Sequence, residues 1–261
     1  MSAFESALKS PSFQYTAEEL SAIRQVRDAL LAAGVDESRI GLKTLAFCTI
    51  NTKLRVEETR DKYLKWLEAI GVYGLTSLSD SSIVNPTALP FLRSYAPSGV
   101  DKEGRQILWI KGGTVTEAEE ALSVSAGIAY FIAVHADAVS LREGITFVID
   151  VSLQRAEKVG NEGKLQKTWQ SFPLRPQAIR IAGAGFIKRT IINGLITVAA
   201  FFTKQKILDR IRFVSVEEVV AELPIESVPK YLNGGGGGLS DDLSYWVQER
   251  IANFPVPVLE V

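Results

Sequence analysis

Ile145-Thr146-Phe147-Val148-Ile149-Asp150-Val151 is the stretch on which the reading of the fold turns. It is rich in β-branched residues and reads as a strand. Upstream, residues 106–110 form a short β-like run, and residues 117–141 are helical in pattern and apolar on most sides, as for a helix buried against a sheet. Downstream, residues 178–182 (AIRIA) and 211–215 (IRFVS) read as two further strands, and helical segments separate all four. Strands alternating with crossovers of this length predict an α/β fold with a mostly parallel sheet and right-handed connections.

Outward from this centre the pattern is helical. Residues 16–34 open with Thr16 and Glu19 in capping-box spacing, carry Leu20, Ile23, Arg27, Leu30 and Leu31 on a mixed apolar face, and stop at Gly34. Residues 42–50 read as a short apolar helix. Residues 56–70 read as a third, with Tyr63, Trp66, Leu67 and Ile70 on one face and Gly71 as the stop. Pro86, Pro90 and Pro97 punctuate a serine-rich stretch that reads as a surface linker. Beyond the last strand, residues 216–223 read as a helix closed by Pro224, and five consecutive glycines follow at 234–238. A final helix is predicted from Ser240 as N-cap, with Asp241 and Asp242 in its first turn and Tyr245, Trp246 and Ile251 beyond. The expected organisation is a helical N-terminal unit over 1–78, a linker over 79–99, the α/β domain over 100–238, and a C-terminal helix and tail over 239–261.

The 261 residues are 46% apolar and 23% charged, with a net charge of −1. No global field recruits nucleic acid or an acidic membrane, so any such attraction is local. Cys48 is the single cysteine, which excludes an internal disulfide and fits a reducing, cytoplasmic setting. His135 is the single histidine, and no clustered spacing suggests a metal site. Neither a signal peptide nor a membrane span is read. Residues 190–203 carry no charge over 14 positions. As a helix they would extend about 21 Å, short of the roughly 30 Å hydrocarbon core of a bilayer. The run is too apolar for a surface helix and too short to span.

Gly183-Ala184-Gly185 follows a strand and opens an apolar helix, as a dinucleotide-binding turn does. Lys188 occupies the place of the third small residue, and no acidic residue ends a following strand, so a plain strand-to-helix turn is the preferred reading. Asp150, at a strand end, reads as a cap for backbone amides, and His135 as a core histidine. A Gly-x-Ser-x-Gly elbow and a Walker loop are both missing. Basic residues gather late in the chain, at Arg175, Arg180, Lys188, Arg189, Lys204, Lys206, Arg210 and Arg212. They form either a solvated face or a phosphate and anionic-lipid patch.

Several ordered segments resemble the CRAL-TRIO family. They are Leu45-Ala46-Phe47 with residues 56–67 (VEETRDKYLKWL), and Asp101-Lys102-Glu103-Gly104-Arg105 before the first strand. ITFVIDV follows, then Ser171-Phe172-Pro173-Leu174-Arg175 with AIRIA, and Lys206-Ile207-Leu208-Asp209-Arg210-Ile211. The last is Leu223-Pro224, through Pro229-Lys230-Tyr231, to Gly234-Gly235. The set covers about 42–235 and is closest to the tocopherol- and retinaldehyde-binding branch.

The resemblance implies binding and intermembrane transfer of one lipophilic molecule or phospholipid, without a cofactor and without catalysis. It implies an apolar pocket under a gate helix at 186–202. Phe186, Ile187, Ile191, Leu195, Val198 and Phe202 would face the pocket, with Tyr130, Phe131, Val134 and Val148 as walls. Lys53, Arg175, Lys206 and Arg210 would contact an anionic lipid, phosphoinositides included, during transient docking of a peripheral, monomeric protein that does not bind nucleic acid. Departures bear on the ligand. Leu174 stands where phosphatidylinositol-binding members carry a carboxylate, and Lys53 alone remains of an arginine-rich turn, one residue out of register. Gly183 and Gly185 replace an asparagine and a proline, the gate is about one turn longer, and 151–169 is shortened. Two other readings stand beside this one: a membrane-recruited interaction domain with a vestigial pocket, and a nucleotide-dependent enzyme using the Gly183 turn.

Overall fold

The computed structural model describes residues 13–96, 99–111, 119–152, 168–183, 209–236 and 243–259. The gate residues Phe186, Ile187, Ile191, Leu195, Val198 and Phe202, with Lys206 and the cap at Ser240, lie outside these ranges.

Three helices come first. Helix α1 (Ala17–Ala32) begins with the expected capping box: the Glu19 amide donates to Thr16 Oγ1 at 3.1 Å, and the Thr16 amide donates to Glu19 Oε2 at 2.8 Å. It ends at Gly34, φ +84°, where the Gly34 amide donates to the Leu31 carbonyl and the Val35 amide to that of Leu30. Helix α2 spans Leu42–Asn51 and α3 spans Val56–Gly71. The expected stop at Gly71 is displaced. Gly71 is the last helical residue, and Gly74, φ +73°, holds the left-handed position that closes the turn.

The stretch expected to be a surface linker is instead folded into the core. It forms helix α4 (Asp80–Ile83), a 3-10 turn (Leu89–Ser94) and strand β1 (Tyr95–Ala96). Ile83, Ala88, Leu89, Leu92 and Ala96 are buried. The prolines prevent a long helix, but the apolar residues between them still require burial. Asp80 Oδ1 also accepts the Lys43 amide at 3.0 Å, so this segment caps the start of α2, where Gly41 offers no side chain of its own.

The sheet has the order β1-β2-β3-β4-β5. Strands β2 (Ile107–Ile110), β3 (Ile145–Asp150), β4 (Pro176–Ala182) and β5 (Ile211–Val214) are parallel neighbours, and β1 pairs antiparallel with β2. The chain is thus α/β with a mostly parallel sheet, as expected, and β1 is an addition. The crossover from β2 to β3 carries α5 (Glu120–Val134) and α6 (Ala138–Glu143). The sequence suggests one helix there. The break arises because Asp137 caps a new helix, accepting the Ser140 amide at 2.7 Å. Two further α-helices, α7 (Val216–Glu222) and α8 (Leu243–Ala252), follow β5.

Strand alternation divides the core into two layers. Leu108, Phe147, Ile149, Ile179 and Ile181 face a layer shared with α1, α2, α3, α5 and α8. Ile107, Trp109, Val148 and Ala182 face the opposite layer, covered by Val219, Leu223 and Val228. The N-terminal helices therefore have no core separate from that of the sheet.

Candidate functional site

The expected pocket wall on α5 is a packed aromatic array. The Phe131 ring lies 4.7 Å from Trp169, 5.4 Å from Phe172 and 6.0 Å from Tyr95, centroid to centroid. Phe172 continues to Trp66 at 4.2 Å and Phe47 at 5.3 Å, reaching α3 and α2. Tyr130 stacks obliquely on Tyr95 at 4.4 Å, sits 5.9 Å from Trp246 of α8, and donates its hydroxyl to the Ala96 carbonyl at 3.1 Å. Burial pushes the Tyr95 and Tyr130 phenols well above their ordinary range. Gly127 makes room for this packing, since a Cβ there would stand 2.9 Å from Trp169 Cη2. Tyr130, Phe131 and Val134 are buried in this one layer. Val148 is not with them. It points to the opposite face of the sheet and packs with Trp109 and Val228, because adjacent strand residues face opposite ways. Sequence reasoning missed Trp169, Phe172, Tyr95 and Trp246 as partners of α5. The i,i+3 spacing of Trp169 and Phe172 was the available signal.

At the carboxyl edge of the sheet, Asp150 is fully buried and accepts three hydrogen bonds: from the Ser152 amide at 2.8 Å, from Ser152 Oγ at 2.5 Å and from the Tyr231 hydroxyl at 2.7 Å. Tyr231 in turn accepts Trp109 Nε1–H at 2.9 Å. This matches the capping role expected of Asp150. Gly183, φ +74°, leaves β4 against Ser152, where a Cβ would come within 2.7 Å of the Ser152 Cβ. Its glycine is thus required by close backbone approach. Lys111, at the end of β2, has its ammonium pulled below the ordinary lysine value by burial.

The opposite edge carries the basic pair. Arg175 donates to the Arg142 carbonyl and Arg210 to the Pro176 carbonyl. Burial lowers the Arg175 guanidinium from its usual value, Glu143 opposes that shift and nearby Arg210 adds to it. The structure thus brings Arg175 and Arg210 into mutual electrostatic reach at the start of β4 and β5. Lys53 is exposed in the α2–α3 turn. Arg142 beside them is bound bidentately to Glu19, at 2.7 and 2.9 Å. Burial works to raise the Glu19 carboxyl, but hydrogen bonds from Arg142 and the Thr16 amide outweigh it and hold it below the ordinary range.

His135 lies on the helical side of the sheet and Asp150 points to the other face, so strand geometry separates them. Among the described residues, no group of three or more His, Cys, Asp or Glu is placed to hold a metal ion. Nor is any described helix long and apolar enough to cross a membrane. No known family model matches the sequence, and no curated protein matches it.

Proposed function

We propose that this protein binds a lipophilic ligand or phospholipid and carries it between membranes as a peripheral, CRAL-TRIO-like transfer protein. The observation that carries the reading is the uncharged run at 190–203, which lies in the sequence between the residues of β4 and β5. An apolar segment of that length gains from contact with ligand or lipid and, as a helix, would be too short to span a bilayer. Strand β5, the last in the order of the described strands, supports it. Phe213 pairs in register with core residue Ile181 and so shares its face, yet it is 43% exposed. The Arg175–Arg210 pair would supply short-range attraction to anionic headgroups, about 1 kcal/mol per basic residue near such a surface.

The test is organic extraction and native mass spectrometry of the purified chain, followed by transfer of a fluorescent phospholipid between vesicles. Bound lipid and transfer that rises with anionic lipid content are expected. Protein that extracts without lipid and accelerates no transfer would defeat the reading. Arg175→Gln with Arg210→Gln removes both charges while leaving donors for the two backbone carbonyls. That pair of changes should lower binding to anionic vesicles severalfold and spare neutral ones.

One observation favours the reading of a membrane-recruited domain with a vestigial pocket: Tyr130, Phe131 and Val134 are buried among other side chains. Vesicle binding without extractable lipid would select it.

A further inference from the structure

We propose that His135 is the trigger of an acid-opened latch that holds α5 against α2 and α8. The inference is independent of the lipid-transfer reading. His135 follows the last turn of α5 and is 0% exposed. Its Nδ1 stands 2.6 Å from the Phe131 carbonyl. A carbonyl only accepts, so Nδ1 carries the proton and Nε2 keeps a lone pair. Nε2 is buried without a hydrogen-bond partner. The ring is met edge-on by Phe47 of α2 at 5.0 Å.

The charged groups around it come from two directions. From α8, Arg250 donates Nε–H to the Ala133 carbonyl at 2.6 Å and Nη2–H to Asp137 Oδ2 at 2.8 Å. From the α5–α6 turn, Asp137 spends its other oxygen on the Ser140 amide. Phe47 of α2 and Phe131 of α5 present only a ring and a carbonyl. Among the described residues the one carboxylate acting on the ring, Asp137, is therefore already committed to a buried guanidinium, and a proton added at Nε2 would find no acceptor there. Burial first, then the Arg250 charge, pushes the imidazole down to about 4, although the Phe131 carbonyl and Asp137 pull the other way. Protonation thus favours any state in which the ring reaches water. That state parts α2 and α8 from the end of α5, because Phe47 of α2 covers the ring and Arg250 of α8 is tied to the Ala133 carbonyl just before it.

The sign follows from linkage. The histidine's folded value is depressed, so its contribution is complete above about 6.5 and is lost as pH falls toward about 4. Hydrogen exchange of the full chain, corrected for intrinsic rates, tests this between pH 7.5 and 4.5. Opening of amides in 42–51, 120–137 and 243–252 should rise about tenfold per pH unit below about 6.5. Amides in 145–150 and 176–182 should lag. His135→Phe should abolish the rise, and His135→Gln serves where the larger ring fails to fold. Since His135 is the only histidine, its ring proton also titrates as a single resonance in the unaltered protein. A midpoint near 6.5, a rise that persists in a folded variant, or equal opening of the sheet would each overturn the proposal.

Discussion

Lys53 and Leu54 take φ of +60° and +58°, consecutive left-handed conformations without a glycine. They close α2 in a Schellman turn: the Lys53 amide donates to the Ile50 carbonyl and the Leu54 amide to that of Thr49, each at 2.9 Å. The position that usually holds glycine holds lysine, at a cost of about 1 kcal/mol. Lys53→Gly should therefore raise stability by about 0.5–1 kcal/mol, seen as a higher urea midpoint at unchanged slope. An unchanged or lower midpoint would mean that Lys53 has contacts worth more than its strain. Gly144 presents the opposite case. Its φ is +92°, and a Cβ there would run into the Arg175 carbonyl oxygen, so Gly144→Ala should cost roughly 2–4 kcal/mol. Residue roles that depend on local chemistry were legible in the sequence. Asp150 caps the loop after β3. Asp101, to which the sequence reading gave no role of its own, organises its Asp-x-x-Gly-Arg turn, accepting the Glu103 and Arg105 amides at 3.0 and 2.9 Å and Thr146 Oγ1–H at 2.6 Å. Val148 was not placed correctly with the α5 residues, because a list of apolar residues carries no information on which face each strand position takes.

At the scale of elements, legibility follows from how much of each signal is local. Helix α1 carries its cap, its periodicity and its stop within the chain, and it forms as expected. Strand β1 has two residues, too few for any period, and depends on pairing with Trp109 and Ile110. The α2 cap was illegible for the same reason, since Asp80 reaches Lys43 from 37 residues away. Asp80→Ala should cost about 1 kcal/mol, the usual loss for a removed N-cap, with exchange increased at the first turn of α2 before any change in the sheet. Asp80→Asn keeps an acceptor and should recover most of the loss. If alanine and asparagine behave alike, the cap contributes little and Asp80 acts through packing of α4.

For the whole molecule, the sequence reading of separate N-terminal and sheet units fails on long-range contacts that no window can reveal. The Tyr15 hydroxyl donates to the Pro255 carbonyl at 2.7 Å, and Lys43 Nζ donates to the Ile251 carbonyl at 2.7 Å. Arg142 joins α6 to Glu19 of α1. One buried layer runs from Ile23 through Phe147 to Phe254. Elements that share a core expose one another's apolar surface when they part, so at neutral pH, where His135 is uncharged and its junction stays closed, urea unfolding should be a single transition. Tryptophan fluorescence offers the measurement, because Trp66 reports α3, Trp109 reports β2 and Trp246 reports α8. Their urea curves, resolved by replacing the others with phenylalanine, should coincide. Trp246→Ala removes a buried indole between α8 and Tyr130 and should cost roughly 3–5 kcal/mol. The loss should shift the Trp66 curve as far as any signal from the sheet. A Trp66 transition that stays in place while the sheet signal moves would show that the N-terminal helices fold on their own, and that the shared layer is contact without cooperativity.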